Sequence, residues 1–288
     1  MIKSEKDGNK KGKIMKIKGK VAIITGAGTG IGRAIAVEFA KNGISVVCCG
    51  RRIEKLDETV SIIKENGGRA LAVKADITKL EEVKNLVSET LKTFGSIDIL
   101  FNNAGSFQTI GGLWEIDPEQ WWKDVEVNLK GLMLCCWAVL PHMMKKNSGI
   151  IINMNGGGAT FPLPGGSAYG CSKAAVMRFT ETLAKELERA GSSIIVFGIG
   201  PGLVKTEMTE FQVLSEQGRK WIPSTKECFE KGQVNPPELC ARTAIELIKI
   251  ACPEINGRNF GAGQNIQELQ KQLSKIKEND LYVMRFKK

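Results

Sequence analysis

Short apolar segments alternate with longer amphipathic segments along most of the chain. The amphipathic segments, such as LEEVKNLVSETLKTFG, place apolar residues three and four positions apart and end in glycine, which is typical of helices. Strands that are apolar throughout are buried on both faces, so the alternation predicts a parallel sheet covered by helices, that is, a doubly wound α/β domain. The runs expected to form strands are VAIIT (21–25), SVVCC (45–49), ALAVKA (70–75), IDILFN (97–102), GIIINM (149–154) and SIIVFGI (193–199).

The second half of the chain contains longer segments and a less regular region. Helical patterns extend over about 118–146 and 167–190, and the pattern then loosens over 202–235. A helix at 237–250, a final strand at 258–262 and a charged helix are expected to close the chain. With that final strand the sheet has about seven strands.

Size and charge favour one domain with a basic tail. The chain has 288 residues with 42% hydrophobic content, which is sufficient for one large α/β domain. The formal net charge is +10, but residues 1–20 contain eight lysines against Glu5 and Asp7, which leaves +4 for the rest. We therefore expect residues 1–17 to form a basic, disordered leader, or to precede a true start at Met15. An arm that binds nucleic acid or a membrane surface is the alternative, although we expect neither partner.

Cysteine usage indicates a reducing compartment. The eight cysteines lie in apolar runs or are scattered, no CxxC pair occurs, and His142 is the single histidine. This distribution favours reduced, buried thiols in a cytoplasmic protein and gives no reason to expect a metal site. No segment has the pattern of a signal peptide or a membrane span, which also favours the cytoplasm.

The segment TGAGTGIG (25–32) lies directly between the first strand and the first helix. Glycines at this point let the backbone turn sharply and approach a pyrophosphate, while the helix N-terminus faces the phosphate charge. In this context the segment predicts a dinucleotide site rather than an ordinary turn. The residues expected to contact the cofactor here are Gly26, Thr29, Gly30, Ile31 and Gly32.

The end of the second strand bears on the choice of dinucleotide. A site for an unphosphorylated ribose uses an acidic residue here, whereas this chain has Gly50 followed by Arg51 and Arg52. Guanidinium groups bind a phosphate through forked, charge-assisted hydrogen bonds. The sequence therefore favours NADP(H) over NAD(H), although Arg52 also fits a solvated charge at a helix start.

Tyr169 and Lys173 are four residues apart in a segment expected to be helical, so they share one face. A tyrosine has an ordinary pKa of about 10. A nearby ammonium, joined by an oxidised nicotinamide ring, is expected to lower that pKa and make the phenol a usable acid or base near neutral pH. Alone, the two residues would be an ordinary amphipathic pair.

Five motifs occur in an order and spacing that resemble the short-chain dehydrogenase/reductase family, over about residues 18–263. They are TGAGTGIG, NNAG (102–105), Asn128 in VNLKG, Tyr169-x3-Lys173 and PGLVKT (201–206). The resemblance implies a single Rossmann-type domain at 18–263 with a substrate loop at 203–235, followed by a charged helix or tail at 264–288. It also implies an oxidoreductase that interconverts an alcohol and a ketone or aldehyde and forms a homodimer or homotetramer.

The resemblance also assigns roles to individual residues. Tyr169 would be the catalytic acid/base, Lys173 its partner, and Asn128 the anchor of a water in the proton relay. Beyond the glycine motif and Arg51, the implied cofactor contacts are Asp76, Ile77, Asn103, Ala104, Gly105, Tyr169, Lys173, Pro201, Val204 and Thr206.

The chain departs from the family at one catalytic position. In the family a serine thirteen residues before the tyrosine bonds the substrate oxygen, and here that position is Gly156. Three replacements are considered: the Asn155 amide, the backbone N–H groups of Gly156 and its two following glycines, and Ser167, which is more simply a helix cap. Loss of one donor typically costs roughly 10² to 10³ in rate, so an active enzyme is still expected.

Two further interpretations follow from the same sequence. The missing serine leaves open a catalytically silent protein that senses a nucleotide by binding it. The apolar run at 132–140 fits burial on both sides of a helix, either in an oligomer or in a monomer core. Five apolar residues could form a substrate wall or could be packing residues: Phe161, Leu163, Phe211, Trp221 and Phe229.

Overall fold

The structure is a computed structural model that describes residues 15–285. Seven parallel strands form one sheet in the order β3-β2-β1-β4-β5-β6-β7. The predicted doubly wound α/β fold is confirmed, and each of the six apolar runs forms a strand. The strands are β1 (Val21–Thr25), β2 (Ser45–Gly50), β3 (Ala70–Lys74), β4 (Ile99–Asn102), β5 (Ile150–Met154), β6 (Ile195–Gly200) and β7 (Asn259–Gly261).

Helices cover both faces of the sheet. Side chains alternate between the faces along each strand, so Ile24 of β1 lies in the core under one helical layer and Ile23 in the core under the other. The first layer is α1, α2 and α10, and the second is α3, α5 and α6. The helices are α1 (Gly30–Lys41), α2 (Ile53–Glu65), α3 (Leu80–Phe94), α4 (Pro118–Val125), α5 (Leu132–Lys145), α6 (Ser167–Arg189), α7 (Glu207–Leu214), α8 (Glu216–Trp221), α9 (Pro223–Glu230), α10 (Pro237–Lys249), α11 (Ile266–Lys271) and α12 (Leu273–Glu278).

The helix expected at 118–146 consists of three consecutive parts. A π-helical turn, Glu126–Gly131, separates α4 from α5, and Asp117 caps the start of α4 by accepting the Glu119 N–H at 3.0 Å. By length and composition this stretch is the one helix among residues 15–285 that could cross a membrane. In this fold Val139 and Met143 of α5 are buried in the core, as expected for a core helix.

Both ends of the domain differ from the sequence prediction. The leader predicted at 1–17 is too long, because the Met15 N–H donates to the Lys249 carbonyl at 2.8 Å and Ile17 is buried in the core; residues 1–14 lie outside the described part. The predicted C-terminal helix is two short helices, α11 and α12. Leu269 and Ile276 of these helices are buried in the core, so the segment after 263 packs on the domain.

All eight cysteines carry free thiols. Burial raises the pKa of Cys48 and of Cys49 to about 12, so these thiols stay protonated. The expectation of buried thiols is wrong for Cys171, which is exposed on α6.

Candidate active site

A cleft of about 820 Å³ opens at the carboxyl ends of the strands. It lies where β1 and β4 are neighbours and the chain passes from one helical layer to the other, the usual ligand position in open α/β sheets. Val204, predicted to contact the cofactor, does not line it, because Val204 is buried and bridged to Asn235. The predicted cofactor residues that do line the cleft are Gly26, Thr29, Gly30, Ile31, Gly32, Arg51, Asp76, Ile77, Asn103, Ala104, Gly105, Tyr169, Lys173, Pro201 and Thr206.

The glycine loop is held in a shape that only glycine permits. A Cβ at Gly32 would collide with the Gly26 carbonyl, so the two backbones approach closely. The Asn103 amide nitrogen donates to the Thr25 carbonyl at 2.9 Å, and Arg33 Nε donates to the Gly28 carbonyl at 2.9 Å. The loop therefore has a fixed form before any ligand is considered.

Two arginines follow β2 and differ in their surroundings. Arg51 lines the cleft, and no carboxylate of residues 15–285 ion-pairs with it, whereas Arg52 pairs with Glu207 at 2.9 Å. Asp76 lies on the same side of the cleft. Partial burial alone would raise the pKa of Asp76, but hydrogen bonds from the Thr78 N–H and hydroxyl, with Arg51 nearby, hold it below its ordinary value.

Tyr169 and Lys173 lie one helical turn apart near the start of α6. Lys173 Nζ donates to the Met154 carbonyl at 2.9 Å and lies 5.5 Å from the centroid of the Tyr169 ring. Burial lowers the pKa of Lys173 to about 8 and raises the pKa of Tyr169 to about 12. The expected lowering of the tyrosine pKa is therefore wrong for the protein groups alone, because desolvation outweighs an ammonium that bonds a carbonyl rather than the phenol.

The Tyr169 hydroxyl occupies the space beside Gly156. The Tyr169 ring stacks on Phe107 with centroids 4.4 Å apart and planes 7° from parallel. A Cβ built on Gly156 would lie 2.8 Å from Tyr169 Cζ and closer still to its hydroxyl oxygen. The glycine at this position is therefore what allows the phenol to lie where it does.

Asn128 lies in the π-helical turn and is buried outside the cleft. Its side-chain amide accepts the Ser106 N–H at 2.8 Å and donates to the Ser106 carbonyl at 2.8 Å and to Ser172 Oγ at 3.0 Å. Asn128 thus connects the loop after β4 to the helix that carries Tyr169. The water-anchoring role expected for it remains a prediction.

Two of the three groups that could replace the missing serine, the Asn155 amide and the Ser167 hydroxyl, form hydrogen bonds with other parts of the protein. The Asn155 amide nitrogen donates to Asn259 Oδ1 at 2.7 Å, on the neighbouring part of the sheet. Ser167 does not cap α6; the cap position is Gly166, and Ser167 Oγ accepts the Trp121 indole N–H at 2.9 Å. Within residues 15–285 no acceptor bonds the N–H groups of Gly156–Gly158, so these three donors are still available.

Asp124 is a site residue that the sequence did not reveal. It is fully buried, accepts a hydrogen bond from the Ser106 hydroxyl, and accepts the Thr109 N–H at 2.8 Å and the Gln108 N–H at 3.0 Å. It thereby fixes the loop that carries Phe107 against Tyr169. Its position four residues before Asn128, on the same helical face, was the available signal.

The expected apolar wall is formed only in part. Leu163 and Trp221 pack with Phe107 and Tyr169 in a small cluster above the cleft. Phe161 is 55% exposed and Phe211 is 37% exposed, and the Phe229 ring lies beside the Lys205 ammonium. These last three side chains lie outside the cluster.

Comparisons with known proteins agree with the geometry. The family model described as short chain dehydrogenase matches residues 20–217. A short chain dehydrogenase of Pseudocercospora fijiensis is 34% identical over 90% of this chain and 85% of its own length. A 3-oxoacyl-[acyl-carrier-protein] reductase of Synechocystis is 39% identical over 84% of this chain and 94% of its own length. A crystal structure of an actinorhodin polyketide ketoreductase with NADPH superposes with a TM-score of 0.77 at 29% identity, covering 86% of this chain and 97% of the other.

Proposed function

The chain belongs to the short-chain dehydrogenase family of oxidoreductases, and from that premise we propose that it is an NADP(H)-dependent enzyme that interconverts an alcohol and a ketone or aldehyde. The observation that carries the proposal is that Tyr169 and Lys173 lie in the same cleft as the rigid glycine loop. A silent, nucleotide-sensing protein has no comparable support, since the buried acid/base pair has been kept.

The protein residues fit a phosphorylated dinucleotide. The glycine loop and the start of α1 would hold the pyrophosphate, and Asp76 would bond the adenine amino group. Arg51 and Arg52 follow β2 and line the cleft, with no acidic residue in the usual place, which supports binding of a 2′-phosphate. When bound, the nicotinamide ring supplies or accepts the hydride.

Tyr169 moves the proton at its phenolic oxygen. Burial keeps the phenol protonated, which suits donation to a carbonyl oxygen as negative charge develops there. Lys173 lies close enough to stabilise the resulting phenolate. The Gly156–Gly158 N–H groups, which no acceptor within residues 15–285 bonds, are the donors we propose in place of the absent serine hydroxyl.

Apolar side chains bear on the class of substrate and on the assembly of the protein. Leu163 and Trp221 pack in one apolar cluster with Tyr169, which suits a carbonyl compound that carries an apolar group. Four exposed apolar residues on α4 and α5, Trp122, Met133, Trp137 and Met144, support a homodimer or homotetramer through these helices. The free thiols of all eight cysteines support a location in the cytoplasm. Sedimentation velocity checks the assembly; a monomer at micromolar concentration would contradict it.

Calorimetric titration and an activity screen test the function together. The purified chain is titrated with NADPH and with NADH, and NADPH oxidation is followed at 340 nm with a panel of aldehydes, ketones and 3-oxoacyl thioesters. We expect tighter binding of NADPH and oxidation with at least one carbonyl compound. Binding without oxidation across the panel would favour the nucleotide sensor, and no binding of either dinucleotide would end the proposal.

A further inference from the structure

An ion pair joins the ribose end of the cleft to the substrate loop. Arg52 Nη2 lies 2.9 Å from Glu207 Oε2 and Arg52 Nη1 lies 3.4 Å from Glu207 Oε1, a forked contact between residues 155 positions apart. Arg52 follows β2, and Glu207 is the first residue of α7. Both residues line the cleft.

The contact holds the start of α7 against the glycine loop. Thr206, which caps α7, lies so near Gly30 that a Cβ built there would be 3.1 Å from Thr206 Cγ2. Arg52 Nη2 also lies 3.4 Å from Thr29 Oγ1 of that loop. The Arg52 guanidinium is thus directed at α7, while Arg51 has no carboxylate partner within residues 15–285.

We propose that Glu207 is a specificity-determining residue that competes with the 2′-phosphate of NADP(H) for Arg52. The inference rests on the proposed cofactor site. NADPH brings a 2′-phosphate with a charge near −2 to the ribose end of the cleft, and this phosphate binds the Arg52 guanidinium in place of the Glu207 carboxylate. NADH has no such group, so the Arg52–Glu207 pair stays formed when NADH binds.

Glu207 is expected to compete only weakly with the phosphate for Arg52. Arg52 and Glu207 are 52% and 58% exposed, and an exposed pair contributes little because water screens it. Glu207 is therefore expected to reduce the affinity for NADPH by about two- to fivefold, the range of an exposed ion pair, without preventing binding.

Calorimetric titration of Glu207→Gln with NADPH and with NADH tests the proposal. The matched control is Glu210→Gln, since Glu210 also lies in the first turn of α7 but faces Lys205 at 3.9 Å rather than the cleft. We expect Glu207→Gln to tighten NADPH about two- to fivefold, to change NADH less than twofold, and Glu210→Gln to change neither. In an Arg52→Gln background, Glu207→Gln should no longer tighten NADPH.

Two outcomes would overturn the proposal: an unchanged ratio of the NADPH and NADH affinities in Glu207→Gln, or the same gain in NADPH affinity in the Arg52→Gln background. The second would show a general effect of charge rather than competition for Arg52. If the wild-type chain binds neither dinucleotide, the proposed function fails first, so the two failures are distinguishable.

Discussion

Adding a side chain at Gly156 is expected to slow the enzyme, even when the added group is the serine that the family carries. The backbone of Gly156 has a negative φ that other residues adopt, so the perturbation acts through the side chain. The Cβ of either alanine or serine would lie 2.8 Å from Tyr169 Cζ and nearer to the hydroxyl, and contacts under 3.0 Å are not sustained. The phenol must therefore move.

The magnitude follows from how the phenol is held. Moving the hydroxyl by about 1 Å in an active site costs about 10²-fold in rate, and the shift also disturbs the stack on Phe107. A restored donor to the substrate oxygen would return at most roughly 10² to 10³ if its geometry were ideal. With the phenol displaced that geometry is lost, so we expect kcat to fall about 10- to 100-fold in both Gly156→Ala and Gly156→Ser.

Steady-state kinetics with a carbonyl compound found in the screen, together with NADPH titration, provide the assay. Gly261→Ala is the matched control, because a Cβ on this β7 glycine meets no atom within 4 Å and should leave kcat unchanged. NADPH affinity should also stay within about twofold, since Gly156 is not among the expected cofactor contacts. Faster turnover by Gly156→Ser than by the wild type would show instead that the phenol tolerates the added side chain and that the missing hydroxyl is a defect.

Two further predictions concern buried charged groups near the site. The pKa of Lys173 is about 8 in the folded chain and 10.5 ordinarily, so the unfolded chain binds more protons between these values and wild-type stability rises with pH over that window. In urea unfolding, the free energy of unfolding of Lys173→Met minus that of the wild type should fall by up to about 3 kcal/mol from pH 8 to pH 10.5. A difference that stays constant with pH would contradict the burial of the Lys173 ammonium. Asp124→Asn should lower the free energy of unfolding by about 2 kcal/mol, because three donors lose a charged acceptor, and Ser106→Ala by about half as much. Equal stability of Asp124→Asn and wild type in thermal denaturation would argue against this role.

Local sequence pattern was sufficient to predict the sheet and the position of the cleft. A run such as VAIIT has too few polar positions for a surface strand, and glycines at a strand-to-helix turn have few other uses. The same reasoning placed Tyr169 and Lys173 together, because helical spacing fixes which residues are neighbours.

Local sequence pattern could not predict the contacts between distant parts of the chain. Nothing near Arg52 indicates Glu207, and nothing near Tyr169 indicates that Phe107 stacks on it. The direction of the Asn155 amide depends on Asn259 of β7, which only the assembled sheet brings close. For the protein groups alone the pKa of Tyr169 is raised rather than lowered, since desolvation depends on packing rather than on spacing.

We propose that the Tyr169 phenol transfers the proton, and Tyr169→Phe removes only the hydroxyl that this role requires. The measurement is single-turnover oxidation of bound NADPH by an active carbonyl compound, with Tyr282→Phe as the control, since Tyr282 is the only other tyrosine and packs on Phe260 near the C-terminus. We predict that Tyr169→Phe binds NADPH like the wild type and reacts about 10²- to 10⁴-fold more slowly, while Tyr282→Phe reacts normally. A rate for Tyr169→Phe within a few-fold of wild type would show that the Tyr169 hydroxyl does not transfer the proton.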